Sequence, residues 1–105
     1  MRIAIAGAGN VGRSIAQELI DNGHSVMLIE REPRAFKGAS VPQAQWVEAD
    51  ACEVSSLEEA RLQECDVMIA ATGDDKVNLV ASLLAKTEFA AVSYTHLTLP
   101  TNREV

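Results

Sequence analysis

The run Gly7-Ala8-Gly9-Asn10-Val11-Gly12 constrains this chain more than any other feature, because it joins two segments of different period. Before it, Ile3-Ala4-Ile5-Ala6 is a short apolar run that reads as a strand buried on both faces. After it, Val11, Ile15 and Leu19, with Ala16 and Ile20, recur three to four residues apart, while Arg13, Ser14, Gln17, Glu18 and Asp21 fall on the other side. A buried strand that turns through three glycines into an amphipathic helix has few solutions. The first glycine makes the tight turn, the second leaves room for close approach to the backbone, and the third lets the helix pack tightly on the strand.

The rest of the chain repeats the alternation. Asn22-Gly23 stops the first helix, and Ser25 to Ile29 reads as a second buried strand. Arg31 to Gly38 is a short, polar, weakly helical stretch with Pro33 near its start, and Gln45 to Glu48 makes a third strand. Ser55 and Glu58 have the spacing of a capping box and open a helix running to about Gln63. Val67 to Ala71 is the fourth strand. From Asp74 a last helix is expected, with Val77, Val80, Ala81 and Leu84 on its inner face. Strands alternating with helices predict an α/β, Rossmann-like, doubly wound parallel sheet, truncated after the fourth strand and its helix. The segment 91–105 is Thr-rich, carries Pro100 and has no helical stripe, although Val92 to Leu99 could serve as a fifth strand.

Composition narrows the function. A chain of 105 residues suits one domain with one core, and 48% hydrophobic with 23% charged residues describes an ordinary globular one. The formal charge of -6 argues against a nucleic-acid or anionic-membrane surface. Cys52 and Cys65 form no CxxC and have no nearby His, so they are expected as free thiols, with no metal site. No apolar run is long enough to span a membrane or serve as a signal core, which gives the domain a cytoplasmic character.

The glycine run then acquires a chemical meaning. Backbone N–H groups at the start of the first helix, with the positive end of its dipole, attract phosphates, and Gly9 is where a pyrophosphate comes closest. Glu30, at the end of the second strand, can accept hydrogen bonds from both hydroxyls of an adenosine ribose and repel a 2′-phosphate, which favours NAD(H) over NADP(H). Arg31 and Arg34 stand just beyond it, where a guanidinium can hold a 2′-phosphate, stack on adenine, or simply be solvated. Asp50 can reach the adenine edge or be a plain loop acid. Thr72 and Gly73 can line the pyrophosphate crevice, while Asp74 caps the next helix. His24 belongs to the opposite edge of the sheet, and Trp46 to packing. No placed His, Lys or Tyr offers proton transfer, since Tyr94 and His96 lie in the irregular tail. No catalytic residue is therefore expected. The competing readings are a fragment of an NAD-dependent dehydrogenase and an interaction module whose glycine loop is empty.

With these residues placed, the chain resembles the N-terminal nucleotide-binding half of RCK domains, also called KTN or TrkA-N domains. The resemblance rests on IAIAGAGNVGRSIAQEL, VMLIERE, VEADA and above all VMIAATGDDKVNLVASLLAK. It implies a regulatory, non-enzymatic subunit of a Trk/Ktr potassium-uptake system that binds NAD(H), or ATP or ADP in some members. Carried over by position, the binding residues are Gly7, Ala8, Gly9, Asn10, Val11, Gly12, Glu30, Arg31, Asp50, Ala51, Thr72 and Gly73. It also implies a homo-oligomer, dimer or ring, gating a membrane potassium transporter subunit from the inner face of the plasma membrane. The resemblance covers residues 1–90, taken as a partial nucleotide-binding domain. Residues 91–105 depart from it and look like a sequencing or assembly artefact.

Overall fold

Two neighbouring central strands with alternating side chains organise the molecule, whose computed structural model describes residues 1–32 and 41–95. The elements run β1 (Arg2–Ala6), α1 (Asn10–Asp21), β2 (Ser25–Glu30), β3 (Gln45–Glu48), α2 (Val54–Glu59), a 3-10 turn (Leu62–Glu64), β4 (Val67–Ala70), α3 (Asp75–Phe89) and β5 (Val92–Thr95). All strand pairs are parallel, in the order β3-β2-β1-β4-β5. This is the doubly wound, Rossmann-like sheet the alternation predicts. The fifth strand considered within Val92 to Leu99 is present over Val92–Thr95 and pairs with β4. Of the polar stretch expected from Arg31 to Gly38, the part from residue 33 on, Arg34 included, lies outside the described residues, as does the chain after Thr95.

Because strand side chains alternate, β1 and β2 feed two cores. Ile3 and Ile5 of β1 join Val26 and Leu28 of β2 in a cluster under α1, with Ala16, Ile15 and Leu19 packed onto it. Ala4, Ala6, Met27 and Ile29 face the other way, toward Leu57, Leu62, Met68, Ala81 and Ala85. Trp46 is half-buried against the first cluster, its indole N–H donating to the Val41 carbonyl (3.2 Å), a packing role as expected. His24, in the connection before β2, is half-buried at the end of the sheet remote from the glycine run.

The helices depart from expectation in three places. On α1, Gly12 and Ala16 form the buried line while Val11 is 43% exposed, because Gly12 is where the helix comes closest to β1. The capping box at Ser55 and Glu58 does not form. The second helix begins at Val54 with Glu53 as its cap, without a side-chain capping bond, and Ser56 Oγ accepts from the Asp50 N–H instead (3.1 Å). That helix also ends at Glu59 instead of reaching Gln63, because Arg61 takes a left-handed conformation (φ 65). The break lets both Leu57 and Leu62 enter the core, which one continuous helix forbids for residues five apart. On α3 the buried line is Asn78, Ala81, Ser82 and Ala85, while Val80 is 44% exposed. Small side chains are selected there because the sheet face below carries the short residues Ala4, Ala6 and Ala70 and draws the helix close. Leu79, Val80 and Leu83 are left exposed on the outer side of α3.

Replacing fully buried Leu28 with Ala is expected to lower unfolding stability by about 2–5 kcal/mol. Leu79→Ala, on the exposed face, should stay within about 0.5 kcal/mol of wild type. Urea unfolding of the two variants checks the contrast.

Candidate functional site

In an open parallel sheet whose order reverses, the crevice forms outside the carboxyl ends of the strands on either side of the reversal. Here those strands are β1 and β4, and the loops after them face each other. A cleft of about 400 Å³ opens there, lined by Gly7 and Gly9, by Glu30 and Arg31, by Asp50, Ala51 and Cys52, and by Thr72 to Asp74 with Val77. That volume suits a small-molecule ligand.

The three glycines differ in what they do. Gly7 has φ +109, and a Cβ on it would stand 2.7 Å from the Ala71 carbonyl oxygen and 2.9 Å from the Thr72 nitrogen. Gly12 faces the turn itself, and a Cβ there would overlap the Gly7 carbonyl oxygen. Both are required by the fold. Gly9 has φ -77, and a Cβ on it would meet nothing within 4 Å, so the protein alone gives no reason for glycine at this position. Its bare backbone lines the cleft.

Gly9 is also the N-cap of α1. No side chain caps this helix, and no acid stands in its first turn. The amides of its first turn precede any intrahelical acceptor and leave a concentration of positive partial charge at the cleft. Arg13 ties the turn from outside, its Nε donating to the carbonyls of Ala8 (3.1 Å) and Gly9 (3.2 Å).

Glu30 ends β2 and points its carboxylate back at the glycine turn. Oε1 accepts from the Ala8 N–H (2.9 Å) and Oε2 from the Glu32 N–H (3.0 Å). Each carboxylate oxygen retains a further lone-pair direction, so the group can accept two more hydrogen bonds. Asp50, past β3, is held by its own loop. Its Oδ1 accepts from the Cys52 N–H (2.9 Å). Asp74 is the N-cap of α3, accepting from the N–H groups of Lys76 (2.8 Å) and Val77 (3.2 Å), the capping role read from the sequence.

Of the residues carried over from the sequence, Gly7, Gly9, Glu30, Arg31, Asp50, Ala51, Thr72 and Gly73 line one cleft. Ala8 and Gly12 are buried behind it, and Asn10 and Val11 are exposed on the first turn of α1, outside its lining. Three further side chains line the cleft. Asp74 does so as well as capping α3, two roles that the sequence leaves compatible on the ligand-facing edge, whereas Val77 was read as part of the inner helix face and Cys52 as a buried or incidental thiol. Nothing in the spacing marked Val77 and Cys52, because a residue two past Asp50 and one three past Asp74 meet across the cleft through topology alone. The Cys52 thiol lies 3.8 Å from the Val77 carbonyl. Burial pushes the Cys52 thiol pKa up and the Asp50 carboxylate adds to it, against the opposing Arg31 guanidinium. It is therefore a protonated thiol at neutral pH rather than a nucleophile. Cys65 is buried in the core and likewise raised by that burial. Among the described residues no group of His, Cys, Asp and Glu is arranged to hold a metal.

Comparison with known proteins adds three findings. The TrkA-N domain family model matches residues 3–98. The Trk system potassium uptake protein TrkA of Mycobacterium tuberculosis is 60% identical over 90 residues, covering 86% of this chain and 41% of that protein. The chain thus spans about two fifths of the length of that relative. The fold is shared with the TrkA-N domain of inner membrane protein ybaL from Escherichia coli (TM-score 0.76, 14% identity, 90% of this chain and 73% of that one). It is also shared with the Shewanella denitrificans Kef CTD in AMP bound form (TM-score 0.72, 18% identity, 90% and 58%).

The division among the glycines is testable without any ligand. Gly9→Ala should change unfolding stability by less than about 1 kcal/mol, since the new methyl meets nothing. Gly12→Ala should cost about 1–3 kcal/mol or more, since the helix must move off the turn. Thermal or urea melts of the two variants decide it.

Proposed function

The chain belongs to the TrkA-N domain family, and from that premise we propose that it is the nucleotide-binding regulatory domain of a Trk/Ktr-type potassium uptake system. NAD(H) is its ligand in the cleft at Gly9 and Glu30, with ATP or ADP as the alternative. One observation carries the reading: a carboxylate at the end of β2 is held against the glycine turn with acceptor capacity to spare, beside an uncapped helix N-terminus. Ribose hydroxyls are the donors such a carboxylate suits, and phosphates are the anions such a helix end attracts. Gly9 fits the same picture, because its missing side chain leaves space on the ligand side alone. The Kef CTD, a protein of the same fold, is in an AMP-bound form, which supports an adenine nucleotide as the class of ligand.

NAD(H) is preferred over NADP(H) on charge. Among the described residues, Glu30, Asp50 and Asp74 line the cleft against the guanidinium of Arg31, so a 2′-phosphate beside Glu30 meets repulsion from these carboxylates. Regulation is preferred over turnover on chemistry. Among the described residues, the polar side chains lining the cleft are these carboxylates, Arg31, the Thr72 hydroxyl and the protonated thiol of Cys52. No His, Lys or Tyr is among them to move a proton beside a nicotinamide, as a dehydrogenase requires. Ligand binding then acts by favouring one arrangement of the protein over another.

The partners follow from the family reading: a membrane potassium transporter subunit, reached from its cytoplasmic side, and further copies of the same chain. Exposed Leu79, Val80 and Leu83 on α3 support a protein contact, since adjoining apolar side chains on one helix face favour being covered. No helix among the described residues is long and apolar enough to cross a membrane.

The deciding experiment is a thermal-shift titration with NADH, NADPH, ATP and ADP. NADH should raise the melting temperature saturably, by the equivalent of about 2.7 kcal/mol at a hundredfold excess over its dissociation constant, and NADPH less. Glu30→Ala should weaken NADH more than NADPH, and Gly9→Val should abolish both responses while the protein stays folded. A folded wild-type protein indifferent to all four nucleotides would refute the site, and substrate-dependent oxidation of NADH would return the chain to the dehydrogenases.

A further inference from the structure

Asn78 is fully buried and does not line the cleft, yet its side-chain amide grips one cleft residue at three atoms. The Thr72 N–H donates to Asn78 Oδ1 (2.9 Å), the Thr72 hydroxyl donates to the same oxygen (2.6 Å), and Asn78 Nδ2 donates to the Thr72 carbonyl (3.2 Å). The backbone N–H is a donor only, so it fixes the orientation of the amide: the carbonyl oxygen of Asn78 has to face it. The Thr72 hydroxyl, oriented in this way, accepts from the Asp74 N–H (3.2 Å) at the cap of α3.

The consequence lies on the other side of Thr72. Its nitrogen and the Ala71 carbonyl are the atoms that a Cβ on Gly7 would strike, at 2.9 Å and 2.7 Å. The backbone held by Asn78 is therefore the same backbone that abuts the glycine turn. We infer that Asn78 is a positioning residue for the phosphate side of the cleft: through Thr72 it fixes the separation between the loop after β4 and the glycine turn after β1. A side chain of another kind at this depth would leave the Thr72 N–H without its buried acceptor. The loop would then satisfy that group elsewhere and move relative to Gly7. The ribose side is set by Glu30 on β2, whose hydrogen bonds go to the N–H groups of Ala8 and Glu32 and not to Thr72 or Asn78.

This inference rests on the nucleotide-site reading above and predicts a selective defect. Asn78→Ala is compared with wild type in calorimetric titrations of adenosine, AMP and NADH. Affinity for NADH should fall about tenfold, AMP should follow in the same direction, and adenosine, which carries no phosphate, should change less than about twofold. Thr72→Val removes the hydroxyl half of the clamp at nearly constant shape and should show the same asymmetry. Thr72→Ser, which keeps the hydroxyl, should restore the wild-type ratio. If Asn78→Ala does not fold, Asn78→Ser, which keeps a polar side chain at the buried position but cannot reach Thr72 at three atoms, takes its place and should show the same asymmetry. A lower melting temperature with unchanged or equally reduced affinity for all three ligands would show that Asn78 merely packs, overturning the inference. Wild-type protein that binds none of the three would overturn the nucleotide-site reading itself and the positioning role with it.

Discussion

The approach of α1 to β1 is the constraint from which the ligand-facing edge of this domain follows. Gly12 lies against the Gly7 carbonyl, with no room for a side chain between them, and Gly7 in turn lies against the backbone after β4. Three backbone segments are thereby stacked without side chains separating them. The Gly7 N–H donates to the Ile29 carbonyl (2.8 Å) and the Ala71 N–H to the Ala6 carbonyl (2.8 Å), so the turn is hydrogen-bonded into both neighbouring strands. A cleft at such a junction has walls of fixed backbone, which lets it present N–H groups to a ligand without first reorganising them.

Much of this was legible because the relevant residues carry local signals. A buried strand, three glycines at fixed spacing and an amphipathic helix are read within one stretch of chain, and β1, α1, β2 and β3 appear where the periodicity puts them. The inner face of α3 was legible only in part: Ala81 is buried and Val77 and Leu84 are half-buried as the spacing puts them, while Val80 is exposed. Leu79, Val80, Leu83 and Leu84 give the helix apolar residues on more than one side, and hydropathy cannot say which side meets the sheet. The choice is made by the neighbours: opposite the alanines of β1 and β4, the small Ala81, Ser82 and Ala85 are buried, with Leu84 packed at the margin of the same cluster. The polar Asn78 sits on that buried line because its partner is the Thr72 backbone, a contact no periodicity rule anticipates.

The parts of the site differ in legibility for the same reason. Gly9 and Glu30 were readable because a turn and a strand end place them whatever the rest of the chain does. Cys52 and Val77 come together across the cleft only once β3 and β4 have taken their places on opposite sides of β1. The failed capping box shows the limit from the other direction. Its spacing is correct at Ser55 and Glu58, but the turn after β3 uses the adjacent Ser56 to hold the Asp50 N–H, and the helix start shifts to suit. Local preferences worth about 1 kcal/mol yield where a tertiary turn has to be satisfied.

Charge gives the site its character. In a chain of net charge -6, with three carboxylates in the cleft lining, attraction for an anionic ligand comes, among the described residues, from backbone N–H groups and Arg31. Partial charges at a helix end act over about one turn and contribute a fraction of what a full ion does, so they orient a phosphate more than they concentrate it. For the proposed nucleotide, binding on these terms is decided by fit at the ribose and the glycine turn. In the proposed role, shape selects the nucleotide more than charge does, which suits a regulator that exchanges its ligand as nucleotide levels change.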